Sequence, residues 1–277
     1  MVLEDEFGDI IAKARAGFSL SKTELADRVE LTEADISKIE AYDWVPDRNV
    51  ISLLASALGL DSDKLDAIAN NAWTPEAPDL SAAPFSVYTV QVPIGQYSEN
   101  AYVVACNKTK QAAIVDPGGS AGEILKIIQD NTFNLIQILI THTHSDHIGG
   151  LVDICRAVPD VTVVSTQIDR QEVTRHRTKW QAAEDGRSFE MGKLTITALT
   201  TPGHTAGSVC YKVDSVCFVG DTLFAGSIGR PAVKDGYSRM LEAIKDKILA
   251  LPPDTALLPG HGPTTTVTQE RRHNPFF

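Results

Sequence analysis

No stretch of this 277-residue chain approaches the roughly eighteen uninterrupted apolar residues that a membrane-crossing helix needs, so no helical membrane protein is expected. The first residues, Met-Val-Leu-Glu-Asp-Glu, offer neither a basic patch nor an apolar core, and no secretory signal is read there. Cysteine is scarce. The four that occur, Cys106, Cys155, Cys210 and Cys217, form no CxxC pair; three fall in apolar strand-like runs and Cys155 in a helical one. Buried free thiols of that kind suit a reducing cytoplasm, which is the expected location. Positive charge is also in short supply: 25 lysines and arginines stand against 36 acids, a net charge of −11. That balance argues against a general affinity for nucleic acid or anionic lipid and says nothing of the fold.

What is there falls into two patterns. Up to residue 72, apolar residues recur at helical spacing: Leu25, Ala26 and Val29 on one face, Ile36 and Ile39 on the next helix, then Val50, Leu53, Leu54, Ala57 and Leu58. Thr32 with Glu33 and Asp35 reads as a helix start, and Gly59 as a stop. Residues 1–72 are therefore expected to form a small all-helical bundle. Residues 73–84, with three prolines, read as an extended linker. From residue 85 to 277 strands alternate with helices. Strands are expected at 85–92, 101–106, 111–115, 135–140, 161–165, 194–199, 208–213, 216–219 and 256–258. Helices are expected at 121–131, 149–158 and 237–251, with a polar, mostly helical stretch over 167–187. This is an α/β pattern, with two sheets the expected arrangement.

The run 135–140 leads into Thr141-His142-Thr143-His144-Ser145-Asp146-His147. His142 and His144 lie two apart on extended backbone and so point to one side, while Asp146 and His147 follow where the chain turns into a helix. Four metal-ligand types within six residues are hard to explain without a metal. Three more loops bring Gly203-His204, Gly220-Asp221 and Gly260-His261, each ligand type beside a glycine that permits a tight turn. Five of the seven histidines sit in these motifs, leaving His176 and His273. Imidazole and carboxylate are donors that zinc takes, with an open position where the site is catalytic.

These motifs, in this order, resemble the metallo-β-lactamase superfamily over residues 85–277. The resemblance implies an αββα sandwich with the site at one edge of its sheets. It further implies a first metal position on His142, His144 and His204, a second on Asp146, His147 and His261, and Asp221 bridging. Two zinc ions are expected, with iron or manganese as alternatives. A hydroxide between such metals would attack an electrophilic carbonyl, with Asp146 moving the proton. The true β-lactamases usually carry Cys where this chain has Asp221, which counts against a lactam substrate. Within the superfamily, Tyr97–Tyr102, Thr201–Ser208, Gly220–Phe224, Gly229-Arg230 and the tail Glu270–Phe276 resemble glyoxalase II-like thioesterases of the short kind. Two departures count against glutathione. Only sixteen residues follow His261, so the helical domain that helps full-length glyoxalase II bind glutathione is not expected, and Pro263 stands where the family has Tyr. Arg230 is a candidate for pairing with a substrate carboxylate or phosphate, and Asn100 for a hydrogen bond to substrate. The basic run around His176 is expected to be a solvated face.

Residues 19–40 resemble a Cro/repressor-type helix-turn-helix, carried by Lys22–Val29 and Ile36-Ser37-Lys38-Ile39-Glu40. DNA binding is nevertheless disfavoured. Residues 1–72 hold seven basic residues against fifteen acids, a net of −8, and Glu33 and Asp35 open the helix that would enter the groove. Glu30 stands where the turn usually has Gly. The unit is expected to serve assembly, as a homo-oligomer contact, or another partner, and a truncation beginning near Ser81 is expected to retain turnover. The leading function is hydrolysis of a small thioester. The alternatives are a persulfide dioxygenase with one iron on His142, His204 and Asp221, and a DNA-binding regulator sensing through its metal domain.

Overall fold

A computed structural model describes residues 2–95, 97–175, 178–232 and 235–277; His176 and Arg177 of the basic run lie outside the described residues. The chain begins with five helices: α1 (Phe7–Gly17), α2 (Lys22–Arg28), α3 (Glu33–Glu40), α4 (Arg48–Leu58) and α5 (Ser62–Ala69). Their starts follow local chemistry. Ser21 and Thr32 each accept a backbone N–H three residues on while Glu24 and Asp35 reach back, and Asp47 and Asp61 cap α4 and α5. Gly59 ends α4 in the left-handed region.

The first sheet takes β1 (Phe85–Ile94), β2 (Tyr97–Cys106), β3 (Gln111–Val115), β4 (Asn134–Leu139), β5 (Thr162–Ser165) and β6 (Lys179–Ala182), in that spatial order. Between them lie α6 (Ala121–Asp130), α7 (Ser145–Ile148), α8 (Leu151–Ala157) and α9 (Arg170–Val173). The second half supplies β7 (Ser188–Met191), β8 (Leu194–Thr200), β9 (Val209–Val213), β10 (Val216–Gly220), a small hairpin of β11 (Leu223–Phe224) and β12 (Ser227–Ile228), β13 (Ala256–Pro259) and β14 (Thr265–Thr266). The second sheet runs β14-β13-β10-β9-β8-β7. Helix α10 (Gly236–Ala243) passes into one π-turn over Ile244–Ile248, and α11 (Val267–His273) ends the chain. The stretch 167–187 departs from its mostly helical reading. It gives only the four-residue α9 and then the edge strand β6, whose partly exposed, polar residues hide its period.

Alternation of side chains divides the strands between cores. On β2, Tyr102, Val104 and Cys106 point between the sheets, where they meet Ile196, Tyr211 and Phe218 of the second sheet. Ala101, Val103 and Ala105 point outward and are covered by Ile124 and Ile128 of α6 and Ile154 of α8. The outer face of the second sheet holds Cys210, Cys217, Val219 and Leu257, and these lie in one apolar cluster with Ile10, Ile11, Leu54, Leu58 and Leu65 of the helical unit. Helix, sheet, sheet and helix thus form four layers, and α1–α5 help build the last. Polar ties reinforce that seam. Lys64 of α5 donates to the carbonyls of Arg271 (2.9 Å) and Phe277, Asp61 N–H to Pro275 (2.8 Å), and Trp73 stacks on His273 at 4.8 Å.

This shared core bears on truncation. A chain starting near Ser81 would leave in water the apolar faces of α10 and α11, on which α1 and α5 pack, and it is expected to be insoluble rather than active. Ile10→Ala, in contrast, leaves the chain whole. It should destabilise the protein by about 2–4 kcal/mol in a single unfolding transition, read by calorimetry. Two separate transitions, with only the smaller one shifted, would show that the helices fold apart from the sheets.

Candidate metal centre

Strands β8, β10 and β13 run the same way, because β8 and β10 both pair antiparallel with β9 and β13 pairs parallel with β10. The loops carrying His204, Asp221 and His261 therefore leave one edge of the second sheet. The loop after β4 is fastened to that edge by Val209 N–H donating to the Thr141 carbonyl (2.9 Å) and Tyr211 Oη donating to that of Ile140 (3.0 Å). All seven residues expected as ligands come together there. His142, His144, His204 and Asp221 form one group, and Asp146, His147 and His261 another.

Asp221 stands between the groups. Its Oδ2 lies 3.5 Å from His204 Nε2 and 4.0 Å from His142 Nε2, while its Oδ1 lies 3.4 Å from His147 Nε2 and 3.7 Å from His261 Nε2. His261 Nε2 is also 3.5 Å from Asp146 Oδ2. His144 turns its Nδ1 inward, 3.0 Å from Nε2 of both His142 and His204. Donors at about 2.0–2.1 Å on a tetrahedron are separated by about 3.3 Å, so these spacings match the edges of a coordination shell.

The outer nitrogens decide which way the inner lone pairs point. His204 Nδ1 donates to the Arg230 carbonyl (2.8 Å) and His261 Nδ1 to that of Ser98 (2.9 Å). A carbonyl can only accept, so the hydrogen is on Nδ1 and the Nε2 lone pair faces the cluster. Thr141 Oγ1 gives its hydrogen to Asp116 (2.5 Å) and hence accepts from His142 Nδ1 (3.0 Å). His147 Nδ1 donates to Asp116 Oδ2 (3.0 Å). His147 Nε2 and Asp221 Oδ1 are buried and have no hydrogen-bond partner. Buried polar atoms left so are costly, and a cation between them satisfies both. The residues present fit two metal ions.

Without a cation the cluster is electrostatically strained. Burial pushes His142 well below the usual imidazole range, helped by the charge of His147. Burial opposes protonation of His147 too, yet the Asp221 charge and the Asp116 hydrogen bond hold it well above that range. Burial alone would raise Asp221, but His147 keeps it ionised, far below the ordinary carboxylate value. Metal binding replaces this proton with a cation.

Tight turns let the loops close on one another. Gly220 has φ +48°, and a Cβ there would lie 2.3 Å from Thr141 Oγ1; one on Gly260 would lie 2.5 Å from Asp221 Oδ1. Asn100 has a different task from the one expected. Its amide donates to the carbonyls of Gly262 (2.9 Å) and Pro259 (3.2 Å), bracing the His261 loop, and it does not line the cavity over the cluster. Arg230 does line that cavity. Three buried acids escaped the sequence reading. Asp116, held at φ +47° after β3, accepts from the Thr141 backbone (2.7 Å) as well as from His147, and so orients both. Asp169 accepts from Thr143 (3.0 Å) beside His144. Glu99 is buried with both oxygens unpartnered, and burial pushes it up to about 10. The available signal for Asp116 was a carboxylate at the end of an apolar strand, ahead of Pro-Gly-Gly.

An imidazole–carboxylate cluster with inward lone pairs, set at the edge of two facing sheets, defines a metallo-enzyme. The chain belongs to the metallo-beta-lactamase superfamily, whose model matches residues 94–261. A probable metallo-hydrolase of Bacillus subtilis is 35% identical over 206 residues, covering 68% of this chain and 96% of its own. Hydroxyacylglutathione hydrolase 2 of Vibrio vulnificus is 34% identical over 168 residues, covering 61% of this chain and 64% of its own. Among solved structures, the BLEG-1 B3 metallo-beta-lactamase is 34% identical with a TM-score of 0.59, covering 68% of this chain and 99% of its own. Another, described as di-iron-bound, is 29% identical with a TM-score of 0.57, covering 68% and 100%. Among the described residues no helix is long and apolar enough to cross a membrane.

Asp116→Ala should weaken metal binding about 10- to 100-fold, because His147 and Thr141 lose their shared anchor. Competition with a chromophoric chelator measures this, and unchanged affinity would remove Asp116 from that role.

Proposed function

We propose that the protein is a dinuclear metal-dependent hydrolase that cleaves a small thioester. The observation that carries this reading is Asp221, whose two oxygens face two separate groups of inward-pointing imidazoles. His142, His144 and His204 would hold one ion, Asp146, His147 and His261 the other, and Asp221 both. Two divalent ions there would supply Lewis acidity and bring the pKa of water between them towards about 7.

The protein's own groups then divide the work. Asp146 lines the cavity, and the His261 imidazole beside it holds its carboxyl below the ordinary carboxylate value, so it is placed to take a proton from water. The water oxygen bonds to the acyl carbon, the C–S bond breaks, and the same proton passes to the leaving sulfur. Arg230, on the His204 side of the cavity, offers its guanidinium to a carboxylate or phosphate of the substrate. Phe224, Ile94 and Leu3 give a cavity of about 560 Å³ an apolar part to its lining. The likeness to the Vibrio hydrolase supports a thioester, and Asp221 in place of a cysteine weighs against a lactam. A complete second group weighs against the single-iron dioxygenase reading, which needs only His142, His204 and Asp221. The acids that open α3 weigh against DNA reading: Glu33 accepts from Thr23 (2.7 Å), and Asp35 accepts from Thr32 (2.6 Å) and pairs with Lys38 of the same helix (3.6 Å).

His144→Ala and Asp221→Ala are each expected to lose metal and turnover while remaining folded, since both sheets keep their own cores. Metal analysis beside circular dichroism reads this, and wild-type turnover with full metal content would defeat the assignment. Asp146→Asn should keep at least one metal yet lower kcat about 10²–10⁴-fold, because an amide cannot carry the proton. Near-normal kcat would mean that another group moves it. One iron with oxygen-dependent turnover would establish the dioxygenase instead.

A further inference from the structure

The cavity above the metal centre has two walls, and only one belongs to the sheets. The other is the N-terminal segment Leu3–Glu6 with Lys13 of α1 and Tyr42. This wall is fixed in place. Buried Lys13 pairs with Asp5, donates to the Ile228 carbonyl (2.7 Å) and lies 4.8 Å from the centre of the Phe224 ring. Tyr42 donates to Asp9 (2.7 Å), which also accepts from the Glu6 backbone (3.0 Å). Glu4 packs against the loop beside His261 so closely that a Cβ on Gly262 would come within 2.8 Å of Glu4 Cβ.

These contacts neutralise part of the wall's charge. Asp5 is neutralised by Lys13, and Asp9 is engaged by Tyr42 and the helix start. Glu6 is exposed. Glu4 makes no ion pair and accepts no hydrogen bond among the described residues, and it is half-buried beside the His261 loop. Arg230 also lines the cavity, and its own carbonyl holds the His204 ring. The lining therefore offers charges of both signs to a bound molecule.

We propose that Glu4 is a specificity-determining residue of the catalytic cavity, selecting substrates that carry a cationic ammonium group on the side of His261. The helical unit then contributes to substrate choice rather than to reading a duplex. This rests on the thioesterase reading for its turnover test, but not for its binding test. A carboxylate facing a cation in a partly enclosed site gains several-fold to about tenfold in affinity, and the gain shrinks as salt screens it.

The test uses the full-length, metal-loaded protein with acetylthiocholine and its uncharged carbon isostere, 3,3-dimethylbutyl thioacetate. The ratio of kcat/KM for the charged over the neutral ester should favour the cation. In Glu4→Gln it should fall about tenfold, and Glu4→Asp should recover part of it. Calorimetric titration of the metal-loaded protein with choline gives a reading without turnover: binding should weaken with salt and be lost in Glu4→Gln. An unchanged ratio, or choline binding equally to both proteins, overturns the role of Glu4. If neither ester is cleaved by protein with full metal content, the thioesterase reading falls, and the choline titration still decides Glu4.

Discussion

The direction of the histidine lone pairs governs the rest of the site. An imidazole has two nitrogens, and a metal can use one only if the hydrogen is kept on the other. Here the outer nitrogens meet groups that can only accept: the carbonyls of Arg230 and Ser98, the Asp116 carboxylate, and a Thr141 hydroxyl whose hydrogen is already committed. Each acceptor lies at or beyond the end of a strand at the same edge of the sandwich. The strand directions, the close approach at Gly220 and the left-handed Asp116 all serve to place those acceptors. Fixing the rings before the ion arrives avoids reorganisation when it binds.

The outer helical layer is tied to that arrangement. The β11–β12 hairpin leads directly to Arg230, whose carbonyl holds His204. Lys13 grips this hairpin through Ile228, and the tail grips it from below, with Glu270 accepting from Gly226 (3.1 Å) and Asn274 donating to Ser227 (2.9 Å). Burial alone raises the Glu270 carboxyl to about 7 despite those partners. Helix α1, the hairpin and α11 thus form a continuous support from the N-terminal unit to a metal-binding ring.

The cluster of candidate metal ligands was readable because core packing alone seldom sets imidazoles and carboxylates at such spacing after a buried strand. Most strands were readable for a similar reason: apolar runs such as Ile138–Ile140 or Val216–Val219 exceed what a loop tolerates. The helices α1 and α5 were not identified individually, and α11 was seen only as a motif, being seven residues long. Edge strand β6 failed because partial exposure erases the alternation. What covered the helical unit was also invisible. Periodicity in the helical unit says that a face is buried, but not that its partners are α10 and α11 some two hundred residues away. The bracing contacts of Asn100 were hidden for the same reason, since its acceptors come from a loop distant in sequence.

The seam between α5 and the tail sets a condition on synthesis. Helices α1–α5 leave the ribosome well before Arg271, Pro275 and Phe277, to which α5 and its cap bond. At about 5–20 residues per second, the apolar side of the helices would wait on the order of ten seconds or more for α10 and α11. Its long-range contacts can close only afterwards, which makes that docking the slow and aggregation-prone stage.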